Sequence, residues 1–242
     1  MASKLLCLAL FAPSLAETAQ KVKVEFFAEA GCPFCRQAIA GPVNKTLSMP
    51  SVAAIMDFQF FPFGNAYFVT TECKGAGDYD MAARKCFNKN CGAGASQPPK
   101  DCFTGALVCQ HGSQECAANR FLACAKTVAG ENLLPFMSFT HCVEASYDTF
   151  SKDTVSACAD ASQIDKDAVF RCYSGSEGDD ATVAQAKATP EHPGVPYLLV
   201  NGQAVEQPDD LLKTVCKAYQ GSEPDACKSM DTWPTHPIIL QV

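Results

Sequence analysis

Apolar and polar side chains alternate regularly near both ends of this chain, and the regularity is lost between them. Residues 22–28 run Val-Lys-Val-Glu-Phe-Phe-Ala, which puts Val24, Phe26 and Ala28 on one side at a period of two and predicts a strand. A helix is predicted from Cys35 to about Leu47, with Gly41-Pro42 kinking or interrupting it, because proline removes a backbone donor. Between residues 53 and 62, Met56-Asp57-Phe58-Gln59-Phe60-Phe61 predicts a second, aromatic strand. Strand, helix, strand is the unit that pairs two strands in parallel through a right-handed crossover. Far downstream, Tyr197-Leu198-Leu199-Val200 and Gln203-Ala204-Val205 flank Asn201-Gly202 and predict a hairpin. Pro208-Asp209-Asp210-Leu211-Leu212 then opens a last helix, with acidic residues where the helix dipole favours them. Residues 228–242, with Pro234 and Pro237, are expected to form a loose tail.

Residues from about 70 to 185 have a different character. They begin with Gly- and Asp-rich turns at 74–80 and continue through a loop at 92–100 that contains Pro98-Pro99. From Cys109 to Cys172, Ala, Phe, Leu and Cys recur at helix-like spacings. Cross-links would order such a stretch by restricting its unfolded ensemble. The pattern predicts a disulfide-rich, mostly helical insertion in an α/β domain spanning residues 17–227.

Cysteine usage sharpens this picture. The chain has 242 residues and 15 cysteines. Residues 1–16 resemble a secretory signal: Lys4, an apolar run from Leu5 to Ala12, and small residues before Ala16. Cleavage there removes Cys7 and leaves fourteen cysteines, and setting aside Cys32 and Cys35 leaves twelve, enough for up to six bridges. That density fits an oxidising or exocytic compartment. The C-terminal Ile239-Leu240-Gln241-Val242 is not an ER-retrieval signal, so the expected destination is lysosomal, endosomal or extracellular. The formal charge is −7 and there is no basic stripe, which argues against nucleic-acid binding. No later segment approaches the length of a membrane span.

Cys32-Pro33-Phe34-Cys35 carries the candidate chemistry. It lies between the first strand and its helix, so its first sulfur meets unpaired N–H groups that favour the thiolate, the nucleophile of disulfide exchange. Cys32 is the expected nucleophile, reachable by solvent, and Cys35 the more buried resolving thiol. Arg36 either adds to the thiolate's stability or is a solvated charge, while Glu25 and Glu29 oppose it if close. The same pair also suits a structural bridge or half a zinc site, but no second C-x-x-C or spaced His pair supplies the other ligands, so no metal is expected. No Gly-rich dinucleotide loop follows a strand, so neither flavin nor nicotinamide is expected. Asn44-Lys45-Thr46 is the single N-x-S/T sequon and makes Asn44 a candidate glycosylation site.

The order strand, C-x-x-C helix, strand, insertion, Val-Pro hairpin, helix resembles a thioredoxin-like domain. That resemblance implies a cis Val195–Pro196 bond beside the cysteines, with Val195 and Pro196 in contact with substrate. A second motif runs Cys109-Gln110-His111-Gly112-Ser113-Gln114-Glu115-Cys116-Ala117-Ala118-Asn119 and ends at Cys124. It is similar to the signature C-Q-H-G-x-x-E-C-x-x-N-x-x-x-x-C of the gamma-interferon-inducible lysosomal thiol reductase (GILT) family. Membership implies a soluble, glycosylated reductase of protein disulfides, working at acidic pH through Cys32 and Cys35 with an external small thiol as electron donor. Within the signature, Cys109, Cys116 and Cys124 are expected to be half-cystines, and His111 a structural hydrogen-bonder. Gln110, Glu115 and Asn119 are expected to cap helices or pin loops, and Gly112 completes the motif. Two other readings stay open: a disulfide oxidase or isomerase on the same fold, and a cysteine-rich extracellular binding protein.

Overall fold

In the computed structural model, which describes residues 19–228, β1 (Val22–Ala28) and β2 (Met56–Pro62) pair in parallel, from Val22 opposite Met56 to Ala28 opposite Pro62. The expected leader at 1–16 and residues 229–242 of the expected tail lie outside the described residues. The crossover holds α1 (Pro33–Ala38), a π-helical segment (Ile39–Val43), α2 (Asn44–Leu47) and α3 (Pro50–Ala53). α1 starts two residues earlier than the pattern predicts, because Pro33 fits the first helical turn, where its missing N–H has no partner to lose. Gly41-Pro42 falls in the π segment, whose wider turn accommodates the proline without ending the helical path.

β3 (Tyr67–Phe68) pairs with β4 (Leu107–Val108) in a small separate sheet, and α4 (Met81–Cys91) lies between them in sequence. Five helices follow: α5 (Ser113–Ala129), α6 (Leu133–Ala145), α7 (Lys152–Ser162), α8 (Lys166–Ser174) and α9 (Ser176–Ala188). β5 (Tyr197–Val200) returns antiparallel to β1 and forms a hairpin with β6 (Gln203–Ala204), giving the order β2-β1-β5-β6. Asn201 and Gly202 both have positive φ, as the tight two-residue hairpin requires. Pro208–Asp210 forms a 3-10 turn rather than the first turn of the helix, which runs as α10 (Leu211–Ala218), and the short α11 (Asp225–Lys228) follows it.

The insertion builds much of the main core. Phe26 and Phe60 of the sheet join Phe121 and Leu122 of α5, and Phe136 and Phe139 of α6, in one buried cluster. Phe27 is buried too, stacked on Phe61 at 4.9 Å, so the central strand is covered on both faces near its end. A second aromatic core of Phe63, Phe68, Phe87 and the partly buried Phe103 lies beneath α4. Twelve cysteines form six bridges: Cys73–Cys86, Cys91–Cys102, Cys109–Cys116, Cys124–Cys172, Cys142–Cys158 and Cys216–Cys227. Cys32 and Cys35 are the free cysteines among the described residues. The architecture is thioredoxin-like α/β, with a large disulfide-rich helical insertion.

Candidate active site

Cys32 is the residue that precedes α1, in an extended conformation, so the first turn of the helix presents its N–H groups to the sulfur. Cys32 is lowered from the ordinary thiol value of 9.0 to about 6. The largest cause is a hydrogen bond from the Cys35 thiol. The backbone N–H groups of Cys35 and Phe34 and the positive charge of His111 add to it, against the opposing effect of burial. Cys35 is fully buried, and burial pushes its thiol well above the usual range. The two thiols thus ionise far apart, as a nucleophile and a resolving thiol require. One expectation needs correction. Cys32 is only 6% exposed, because its sulfur turns toward the helix end that stabilises it. Phe34, beside it in sequence, is 65% exposed.

Arg36 directs its guanidinium to Asp148, at 3.1 and 3.4 Å. Glu25 pairs with Lys23 at 2.7 Å. Glu29 is fully buried, and two further carboxyls, Glu115 and Glu144, are buried near the same sulfur. Burial raises all three, and the charge of Cys32 adds to that rise. For Glu144 the value is pushed up to about 8. Glu29 accepts from the Asn65 N–H at 2.6 Å, and Glu144 from the Gly31 N–H at 3.0 Å.

The signature folds around this centre. The Cys109–Cys116 bridge closes a loop onto the start of α5. Gly112 opens that helix at φ 83°, a conformation that side chains with a Cβ avoid. Gln110 accepts a hydrogen bond from the Asn65 amide. Glu115 accepts from the His111 N–H at 2.6 Å and faces the His111 ring Nδ1 at 2.9 Å. Asn119 donates to Glu115 at 3.3 Å and accepts from the Ala30 N–H at 2.8 Å, which ties α5 to the segment before Cys32. Cys124 bridges to Cys172 and links α5 to α8. Gln110, His111, Glu115 and Asn119 therefore converge on the walls of the redox site.

Glu29, His111 and Glu115 each offer a ligand atom within 4.8 Å of the others, the geometry of a possible cation cage. Those atoms already have partners in Asn65, Asn119 and one another, so the cluster reads as a hydrogen-bonded wall. Val195–Pro196 is a cis bond. Tyr197 lies opposite Phe27, so the bond falls where β1 runs on toward Cys32. Asn44 is exposed on α2, away from this wall.

Sequence reasoning passes over Asn65 and Glu144 and leaves Glu29 as a charge to be avoided. A signal for Glu144 does exist: in α6 it lies one helical turn beyond Thr140, on the buried face that also holds Phe136 and Val143. Nothing local marks Asn65, which acts through a loop.

A family model described as Gamma interferon inducible lysosomal thiol reductase (GILT) matches residues 23–86 and 91–162, more than half of the chain. A Carassius auratus protein named gamma-interferon-inducible lysosomal thiol reductase is 25% identical over 218 residues, covering 86% of this chain and 73% of its own length. An Arabidopsis thaliana protein named gamma-interferon-responsive lysosomal thiol protein is 28% identical over 235 residues, covering 92% and 83%. A Mus musculus protein with the same name as the Carassius one is 27% identical over 218 residues, covering 88% and 74%. The matched segments contain both free cysteines and the whole signature wall, and on that footing the chain belongs to the GILT family of thiol reductases.

Proposed function

We propose that this protein is a thiol-disulfide oxidoreductase that reduces disulfides in other proteins under acidic conditions. The observation that carries the reading is the unequal acidity of its two free thiols, with Cys32 near 6 and Cys35 far above. At pH 5 a thiol of pKa near 6 is about one tenth ionised, against about one part in ten thousand for an ordinary thiol at 9.0. Glu29, Glu115 and Glu144 oppose the thiolate when charged, but burial raises each to about 8, so they are largely neutral at pH 7 and fully so at pH 5. The wall around Cys32 therefore tolerates a sulfur anion across the acidic and neutral range.

The Cys32 thiolate attacks one sulfur of a substrate disulfide. A mixed disulfide forms, and the other substrate sulfur leaves as a thiolate that takes up a proton. Cys35 then loses its proton and attacks the Cys32 sulfur. The second substrate thiol is released, and Cys32–Cys35 is left as a disulfide. Two equivalents of a small external thiol return the two electrons and leave as its disulfide. The exposed Phe34 offers an apolar contact next to Cys32 in sequence, and the cis Val195–Pro196 bond, just ahead of β5, is the candidate backbone contact for an extended substrate segment. Six bridges support passage through the secretory pathway to a lysosome, an endosome or the outside. Among the described residues no helix is long and apolar enough to cross a membrane. The exposed Asn44 supports N-glycosylation there, checked by a mobility change on endoglycosidase treatment; an unchanged mobility refutes it.

The test is insulin reduction with a small thiol donor at about pH 5 and about pH 7, on wild type and Cys32→Ser. Activity at the lower pH that disappears in the variant supports the proposal. Equal, slow turnover by both proteins refutes it. Efficient reoxidation of reduced test proteins without net reduction would favour an oxidase.

A further inference from the structure

On the far side of the Asn65 loop is a cavity of about 430 Å³, lined by Arg84, Lys85 and Asn88 of α4 and by Glu191, His192 and Pro193. Arg84 is 1% exposed and Asn88 3%. Arg84 Nη2 lies 2.7 and 3.0 Å from the two ring nitrogens of His192, yet among the described residues it forms no ion pair with a carboxylate. Its Nε has no hydrogen-bond partner, and neither has the Asn88 Nδ2 one helical turn further on. A buried guanidinium without a counter-charge is among the costliest arrangements in a folded protein.

We infer that this cavity binds a small oxyanion, a carboxylate or a phosphate, held by the Arg84 guanidinium and the Asn88 amide with the exposed Lys85 at the rim. The two unpartnered groups are both donors, so what completes them must be an acceptor. Water would satisfy the donors and leave the charge unbalanced, whereas an oxyanion with two or more acceptor oxygens does both. A volume of about 430 Å³ has room for such an ion and several waters, each occupying about 30 Å³. The titratable groups whose charge acts on Arg84 are Tyr79, Glu29 and Glu191, in that order, and none of them pairs with it directly. His192 is held neutral down to about 4, by burial and by Arg84 itself, and so adds no competing cation. Glu191 lines the cavity but is exposed to solvent, and Tyr79 and Glu29 act on Arg84 more strongly than it does.

This site is distinct from the thiol pair, and the inference does not rest on the reductase reading. The two are nevertheless connected. His192 Nε2 lies 3.1 Å from the Gly64 carbonyl, next to the Asn65 that holds Glu29, and Nδ1 lies 3.0 Å from the Gly194 carbonyl, next to Val195–Pro196. Neutralising Arg84 would therefore act on both segments that border Cys32.

The experiment follows thermal unfolding and Arg side-chain NMR signals of the full chain, titrated with inorganic phosphate, acetate or chloride at constant ionic strength. The expected result is a saturable stabilisation and a shifted guanidinium signal with an oxyanion but not with chloride. A phosphate response at lower concentration assigns a phosphorylated ligand, and an acetate response at lower concentration assigns a carboxylate one. Asn88→Leu keeps similar volume and removes an unpartnered donor, so it folds, and it weakens oxyanion affinity about tenfold. Lys85→Ala weakens it about threefold. Equal responses to chloride and both oxyanions, or an undiminished response in Asn88→Leu, overturn the inference. So does an anion response that emerges only in Glu191→Gln, since Glu191 would then be the counter-ion.

Discussion

Replacing Cys35 by alanine removes the largest single influence on the Cys32 sulfur, the hydrogen bond from the neighbouring thiol, and leaves the Phe34 and Cys35 N–H groups in place. Cys32 is 6% exposed, so solvent screening discounts that bond little. A hydrogen bond to a charged group contributes about 1.5–3 kcal/mol. One pKa unit corresponds to about 1.4 kcal/mol, so the substitution raises Cys32 from near 6 to about 7–8. At pH 5 the thiolate fraction then falls from about one tenth to about one hundredth or one thousandth. A less acidic thiolate is also a better nucleophile, which returns roughly a factor of three per pKa unit. The net expectation is an alkylation rate at Cys32 about three- to tenfold lower at pH 5. The assay is the pH dependence of iodoacetamide labelling of the reduced protein, read at Cys32 by mass spectrometry. Cys35→Ser keeps a hydroxyl donor and should shift the profile less than alanine does. A Cys35→Ala profile that overlays wild type would refute the reasoning and leave the helix amides as the whole cause.

Glu144 is raised by burial from 4.5 to about 8, so between those values the folded state holds a proton that the unfolded state has released. Its stabilising contribution is therefore present below about 4.5 and lost as the pH climbs to about 8. The gap in Tm between Glu144→Gln and wild type should change steadily across this window in favour of the variant, and parallel curves would contradict it. Gly112 combines φ 83° with ψ −162°, a region nearly confined to glycine, so although the space around it is open Gly112→Ala should cost about 1–3 kcal/mol of backbone strain, measured by urea unfolding. At Gly31 an added Cβ would overlap the Tyr147 ring, so Gly31→Ala should lose more stability and also slow Cys32 labelling; wild-type behaviour in both assays would refute the contact. Opening Cys109–Cys116 (separation 7) by double alanine substitution should cost about 2.5 kcal/mol, and opening Cys124–Cys172 (separation 48) about 4 kcal/mol. The order for insulin reduction should reverse, because only the first bridge fixes the His111 loop; matching orders in the two assays would argue against that role.

The frame of this fold is written in short-range patterns. β1, β2 and the β5–β6 hairpin follow from period two and an Asn-Gly pair, and the C-x-x-C falls at the start of α1 because Pro33 suits a first helical turn. Cysteine parity leads to six bridges, but their partners depend on how α5 to α9 pack, and spacing alone does not encode that. The site is legible to the same degree. Cys32 and Cys35 identify themselves, and the signature marks Glu115, His111 and Asn119 without revealing that they meet the C-x-x-C. That meeting is a tertiary event: Asn119 reaches the Ala30 N–H across 89 residues of chain. Glu29 and Asn65 form their contact because Phe63 and Gly64 turn the chain back after β2. The burial of Cys32 is likewise invisible to a pattern that places any residue before a helix at the surface.

A thiol-disulfide oxidoreductase has to live with its own cystines, of which the described residues hold six. In each bridge at least one half is buried: Cys73, Cys91, Cys109, Cys124, Cys158 and Cys227. Exchange depends on which sulfur an incoming thiolate can reach. One sulfur of each cross-link is thus closed to an incoming thiolate, while Cys86, Cys116, Cys142 and Cys216 remain partly exposed. Among the described residues Cys32 and Cys35 are the pair left unbridged, and since they are as buried as the bridged halves, what sets them apart is the acidity of the Cys32 sulfur rather than its exposure.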